Sequence, residues 1–373
     1  MDHGLRRTRL AERLGDLGVP GEPGGSGGSG DLGVEAFLVT HMPNVRYLTG
    51  FTGSNGEVVL TADAAVFVTD GRYIEQSRHE VPDLERVVDV ERDGAATVAG
   101  VCRRLGASRV AFEAAGVTYE QYEDLGAKAE GIELVPTRGE VERLRWAKEP
   151  EEIRLIERAQ QAADAAFDAI LGELREGVTE LELALALELA MRRAGADGVA
   201  FETIVALGEN AAEPHHDPTR RPLRKGDVVL MDFGGLVDGY RSDMTRTVAF
   251  GEPDVRLREV YGVVLAAQQA GVGAVCAGAT AAEVDEAARS VIRDAGHGEL
   301  FTHGLGHGVG LEVHEGPWVR REGCDVLPAG GVVTIEPGVY MPGLGGIRIE
   351  DTVEVTDAGT RVLPRSSKEL LVL

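Results

Sequence analysis

Residues 227–247 read Asp227-Val228-Val229-Leu230-Met231-Asp232-Phe233-Gly234-Gly235-Leu236-Val237-Asp238-Gly239-Tyr240-Arg241-Ser242-Asp243-Met244-Thr245-Arg246-Thr247. The run to Phe233 is almost wholly apolar and of strand length, yet it carries Asp232. A carboxylate in such a strand is costly unless it is paired or bound to a cation. Asp238-Gly239 is a two-residue hairpin turn signal. With that turn, paired positions sum to 477, so Asp232 faces Thr245 and Asp243 lies two residues from that partner. Strand faces alternate with period two, which makes Asp232 and Asp243 diagonal neighbours on one face. Two like charges there repel, and a divalent cation between them resolves the conflict.

The same arrangement recurs downstream. Val332-Val333-Thr334-Ile335-Glu336 and Ile347-Arg348-Ile349-Glu350 are apolar strands ending in carboxylates, separated by Pro342-Gly343-Leu344-Gly345-Gly346. Glu336 and Glu350 sit symmetrically about Gly343, so a hairpin centred there sets them opposite each other. Between the two hairpins lies His303-Gly304-Leu305-Gly306-His307-Gly308-Val309-Gly310-Leu311-Glu312-Val313-His314-Glu315. Its alternate glycines do not make a dinucleotide site: no strand-to-helix context follows, and histidines stand where small residues should cradle a pyrophosphate. His303 and His307 can share a strand face, whereas the odd separation of His307 and His314 needs a bulge or turn to aim both at one place. Pro214-His215-His216-Asp217-Pro218 is a proline-bracketed loop whose histidines can donate to a substrate oxygen. Four carboxylates with one imidazole form an oxygen-rich set suited to manganese, cobalt or zinc, manganese above the others. Such a set can hold two ions about 3.5 Å apart if carboxylates bridge, which is equipment for hydrolysing an amide.

Composition narrows the setting. The 373 residues are 43% apolar and 27% charged, an ordinary globular balance, and the length suggests two domains. The net charge of −24 repels phosphate backbones and argues against nucleic acid as a partner. No apolar run approaches 18 residues, so no membrane span is expected. Cys102, Cys276 and Cys324 are far apart without a CxxC pair, and Met1 to Leu10 lacks the apolar core of a secretory signal. A reducing cytoplasm fits both.

Along the chain, leucines at 10, 14 and 17 space a helix over Arg7 to Leu17, followed by a Gly/Ser-rich loop over 20–30 read as a tolerated surface insertion. From Val34 to Val135 short apolar strands (37–39, 58–60, 66–68, 87–90, 109–112) alternate with helices (97–105, 119–128), a self-contained α/β unit. The expected boundary lies near Pro136, giving domains 1–136 and 137–373. The second domain repeats one order: a long helix (151–174, then 255–276), a Thr-x-x-Glu capping box (Thr179/Glu182, then Thr280/Glu283), a helix, and strands. This implies an internal duplication with the site between the halves.

Several segments together resemble the pita-bread metallopeptidases, and among them the proline-specific branch of aminopeptidase P and prolidase. They are Phe201 to Ala206, Pro214-His215, Met231 to Gly234, Ser242 to Thr247, His303 to Glu315, Ile335 to Tyr340 and Gly346 to Asp351. Asn44 to Gly56 and Thr69 to Tyr73 are similar to the smaller, creatinase-like domain of these enzymes. The resemblance implies a smaller N-terminal α/β domain and a C-terminal pita-bread domain with pseudo-two-fold symmetry. It implies Asp232, Asp243, His307, Glu336 and Glu350 as ligands of two divalent ions, with Glu336 also the acid/base partner of the attacking water. His215 and His314 match histidines that contact substrate or stabilise the tetrahedral intermediate, and His303 one beside the proline pocket. Arg348 and Tyr340 match residues that orient the metal carboxylates or bound water; His216 is given no role. The implied activity is removal of an N-terminal residue preceding proline from short peptides (Xaa-Pro aminopeptidase), with Xaa-Pro dipeptidase as the alternative. A homodimer, and a small domain closing the N-terminal side of the cleft, are further implications. The intact ligand set argues against a metal-free creatinase-like hydrolase and against a pseudo-peptidase used for binding.

Overall fold

A computed structural model describes residues 1–14 and 33–373. The expected loop at 20–30, and the end of the helix expected to reach Leu17, lie outside the described residues. The chain divides into two compact units, Met1–Arg145 and Trp146–Leu373.

The first unit holds α1 (His3–Leu14), β1 (Ala36–Val39), α2 (Met42–Thr49), β2 (Glu57–Thr61), β3 (Ala65–Asp70), α3 (Ile74–Glu80), β4 (Glu85–Asp89), α4 (Gly94–Arg104), β5 (Arg109–Glu113), α5 (Tyr119–Lys128), β6 (Glu133–Thr137) and α6 (Glu140–Arg145). Its six-stranded sheet runs β4-β3-β2-β1-β5-β6, antiparallel where β2 meets β1 and β3 and parallel elsewhere. The apolar runs do this: Leu38, Val59, Val66, Val68, Val110 and Phe112 pack with Val98 and Val101 of α4 in one core. The charged helix α6 is tied in by polar contacts. Arg145 donates to Asn44 Oδ1 at 2.8 Å, and the Tyr47 hydroxyl to the Leu144 carbonyl at 3.0 Å.

The second unit holds α7 (Pro150–Ile170), α8 (Glu180–Arg193), β7 (Gly198–Val199), β8 (Ile204–Leu207), β9 (Val228–Phe233), β10 (Gly235–Val237), β11 (Tyr240–Arg241), β12 (Met244–Ala249), α9 (Val255–Ala274), α10 (Ala281–Asp294), β13 (Gly306–Gly308), β14 (Glu315–Val319), β15 (Val332–Ile335), β16 (Gly338–Met341), β17 (Gly345–Arg348), β18 (Asp351–Thr356) and β19 (Gly359–Val362). Both Thr-x-x-Glu boxes close as reciprocal caps at the starts of α8 and α10. Each capping threonine also makes an isolated antiparallel bridge, Thr179 to Pro222 and Thr280 to Val326. Left-handed glycines recur in step: Gly177 and Gly278 before the caps, Gly195 and Gly296 after the helices, Gly226 and Gly330 before the acid-bearing strands. The duplication is therefore structural. One core joins the halves, with Ala206 and Leu230 from the first packed with Val264, Val284, Ile335 and Val339 from the second.

Candidate metal centre

The first hairpin has the expected register: Thr245 pairs with Asp232, and Leu236 with Arg241, around a turn in which Asp238 and Gly239 both take positive φ. It is not one continuous ladder. β9 and β12 join β8 in one sheet, while β10 and β11 join β7 in another. Gly234 sits at the break, where an added Cβ would lie 1.9 Å from the Ser242 carbonyl oxygen. The second hairpin keeps its own constant sum about Gly343: Ile335 pairs with Asp351, and Gly338 with Arg348. It too splits, into β15/β18 and β16/β17. Glu336 and Glu350 fall at that break, as Asp243 falls at the first. Three of the four acids thus stand where a ladder opens, while Asp232 stays within β9, paired with Ile204 and Thr245.

Side chains of β12 stitch the two hairpins together. Thr245 Oγ1 donates to Glu350 Oε2 at 2.7 Å and accepts from Arg348 Nε at 3.0 Å. Thr247 Oγ1 donates to the Arg348 carbonyl at 3.0 Å, and Thr352 Oγ1 to that of Asp243 at 2.8 Å. Arg348 is buried and spans the site: Nη2 donates to Asp232 Oδ2 at 2.6 Å, Nη1 to the Tyr340 hydroxyl at 3.0 Å and to the Pro214 carbonyl at 3.2 Å. Because Tyr340 accepts there, its own proton goes to His303 Nε2 at 2.8 Å. His303 Nδ1 in turn donates to the Gly304 carbonyl at 2.7 Å. Burial pushes the Tyr340 phenol up to about 12 and keeps the His303 imidazole below its usual value.

Asp243, His307 and Glu350, all buried, each offer a ligand atom within 4.8 Å of the others. His307 Nε2 lies 3.7 Å from Asp243 Oδ2 and 3.4 Å from Glu336 Oε1. Its Nδ1 meets the Gly308 carbonyl at 3.1 Å, a contact that fixes the Nδ1–H tautomer and turns the Nε2 lone pair toward the carboxylates. Acceptors facing acceptors need a cation. Asp232 Oδ1 is a second sign, since it is buried with no hydrogen-bond partner among the described residues. Electrostatics agree. Burial, then the charges of Glu350 and Asp232, push Asp243 well above the usual carboxylate range; burial, then Glu336 and Asp232, do the same to Glu350. Burial also raises Asp232, against the pull of Arg348. Against burial, the carboxylates raise His307, and the proton this keeps on Nε2 holds Glu336 down at about 2, again against burial, through its hydrogen bond and charge; a metal ion on Nε2 would stand in that proton's place. The oxygen-rich donor set fits a divalent ion.

A cavity of about 470 Å³ opens onto these groups, lined also by His215, His303, His314, Phe201, Trp318 and Arg320. His303 precedes β13 rather than sharing a strand with His307; Gly306, which would place a Cβ 1.9 Å from the Thr334 carbonyl oxygen, presses the chain against β15 only from that point on. The bend between β13 and β14 resolves the odd spacing, bringing the His307 and His314 rings to 4.4 Å. Sequence reasoning missed Thr245 as a bridge, although it stood as the computed partner of Asp232. It also missed Arg320, and Lys148, whose Nζ sits 2.7 Å from Glu315 Oε1 and holds the segment after His314.

Residues 154–357 match the model of metallopeptidase family M24, and residues 30–146 that of the creatinase/prolidase N-terminal domain. The chain is 36% identical to the Xaa-Pro dipeptidase of Pyrococcus horikoshii, over 91% of this chain and 95% of that one. The structure of an Xaa-Pro dipeptidase from Bacillus anthracis superposes with a TM-score of 0.93 at 38% identity, covering 100% of both chains. That of an X-Pro aminopeptidase from Thermotoga maritima gives 0.85 at 35%, over 91% and 98%. With the duplicated fold, the buried acid and imidazole group and a family match over most of the second unit, the chain belongs to metallopeptidase family M24 and carries a creatinase/prolidase N-terminal domain.

Proposed function

We propose that the protein is an Xaa-Pro dipeptidase, dependent on two divalent ions, preferably manganese, held by Asp232, Asp243, His307, Glu336 and Glu350. Bound ions of this kind polarise a peptide carbonyl and acidify a water. The chain's own groups do the rest. Glu336, whose Oε1 lies 3.4 Å from His307 Nε2 at the metal-facing end of the cavity, accepts and returns the proton. His314, exposed at the mouth of the cavity, and His215 face the reacting carbonyl from the cavity wall. Arg348 and Tyr340 orient Asp232 and His303. A homodimer and a cytoplasmic location belong to the same proposal.

Arg320 carries the choice of a dipeptide. It lines the metal-facing cavity and a neighbouring one of about 420 Å³, and its guanidinium has no hydrogen-bond or ion-pair partner among the described residues. A free guanidinium beside a peptidase centre suits a substrate carboxylate close to the scissile bond, which a dipeptide has and a longer peptide lacks. This reading and the dipeptidases among the relatives displace the aminopeptidase first expected from sequence. The 35% likeness to the Thermotoga maritima aminopeptidase keeps that as the second reading.

Manganese-loaded protein is expected to hydrolyse Ala-Pro and to leave Ala-Pro-Ala and Ala-Ala largely intact. Arg320→Ala should raise KM for Ala-Pro by roughly 10- to 100-fold, the loss of one charged hydrogen bond. Preferential cleavage of the tripeptide would establish the aminopeptidase instead.

A further inference from the structure

His215 has no hydrogen-bond partner for its imidazole among the described residues, yet it lines the metal cavity. Its direction must come from the backbone on either side, and both neighbours are tethered. The Pro214 carbonyl takes the hydrogen bond from Arg348 Nη1, the same guanidinium that holds Asp232. His216 turns the other way and is buried, its Nε2 at 3.0 Å from Glu180 Oε2 and its Nδ1 at 2.9 Å from Glu213 Oε2. Both ring nitrogens face carboxylates, so both carry protons.

Glu180 is the hub of this arrangement. It is fully buried in the first turn of α8. Its Oε1 accepts from the Leu207 amide and Asn210 Nδ2, each at 2.9 Å. Its Oε2 accepts from His216, from the Thr219 amide at 2.8 Å and from Thr219 Oγ1 at 2.5 Å. One carboxylate thereby gathers the end of β8, the turn after it and both sides of His215. A buried charge held by this many donors is stable only in one arrangement of the loop.

We propose that Glu180 and His216 are positioning residues that fix His215 over the metal cavity by binding the segment 208–219 to the start of α8. The proposal rests on the peptidase reading for what His215 does there, and on geometry alone for how it is held.

The test uses manganese-loaded protein with Ala-Pro as substrate. Glu180→Gln and His216→Leu should each lower kcat by roughly 10- to 100-fold, as sub-ångström misplacement of a reacting group does. Metal content should be unchanged, and amide exchange across 208–219 should quicken. His216→Gln, whose Nε2 can still donate to Glu180, should recover most of the rate. In a His215→Ala background neither substitution should cost more, because both act through His215. Wild-type kcat in Glu180→Gln and His216→Leu, or an undiminished further loss in the His215→Ala background, would overturn the proposal. Should Glu180→Gln fail to fold, the His216→Leu and His216→Gln pair decides by the same readouts. Should the wild type cleave only the tripeptide Ala-Pro-Ala, the same variants are read with that substrate. Should it cleave neither Ala-Pro nor Ala-Pro-Ala, the peptidase reading falls. The positioning pair then stands or falls on whether exchange across 208–219 quickens.

Discussion

At Asp243 the same residue is a liability to the bare fold and an asset to the loaded one. It is 4% exposed and faces Glu350 and Asp232, both acidic, so its ionised form is opposed by burial and by like charge. A neutral isostere removes that repulsion without leaving a cavity. Asp243→Asn should therefore unfold, in chelator at pH 8, at a temperature equal to or above the wild type. It should also lose Ala-Pro hydrolysis, and manganese should no longer raise its unfolding temperature. A calorimetric comparison with and without manganese checks this; an Asn variant that still gains stability from the metal would remove Asp243 from the ligand set. His314 behaves differently, being exposed and outside the Asp243, His307 and Glu350 group. His314→Ala should lower turnover while leaving metal content, read by plasma mass spectrometry, as in the wild type.

At the scale of elements, Glu57 on β2 makes a separate prediction for the first unit. Burial, then the charge of Asp89, raises its carboxyl to about 7. A carboxyl whose folded value lies above its unfolded value binds more proton when folded, so stability is greatest at low pH and falls as pH rises from about 4.5 to about 7. The first unit should lose about 1–3 kcal/mol over that window. Glu57→Gln should abolish the decline, as measured by urea midpoints of peptides covering 57–70 in hydrogen exchange; an identical slope in the variant would refute it. The elements themselves were largely legible, because turn chemistry and period-two alternation are local. Asp238-Gly239 set the first register, the symmetry about Gly343 set the second, and both capping boxes formed. What local pattern does not carry is where a ladder opens. The breaks at Gly234 and at Glu336 depend on neighbouring strands competing for the same backbone, and they decide which side chains meet. The links through Thr245 and Arg348, and the shift of His303 out of the strand, are of that kind. So is the role of His216, which is set by Glu180, 36 residues away.

For the whole molecule, the two units should respond to metal separately. All five proposed ligands, and both tryptophans, Trp146 and Trp318, belong to the second unit. Tryptophan fluorescence thus reports the unfolding of the unit that binds metal, with no contribution from the first. Binding to the folded state alone stabilises by RT ln(1 + [L]/Kd), about 2.7 kcal/mol at a hundredfold excess over Kd. For a unit of this size that is a rise of roughly 5–10 °C in the fluorescence-detected midpoint. The gain should vanish with chelator, fall away in acid as the carboxylates take protons, and scale with the logarithm of free manganese. Exchange of the β1–β3 amides in the first unit should not change over the same titration. If those amides gained protection in parallel with the tryptophan signal, the units would unfold as one cooperative body. The metal would then stabilise the whole chain rather than its second half.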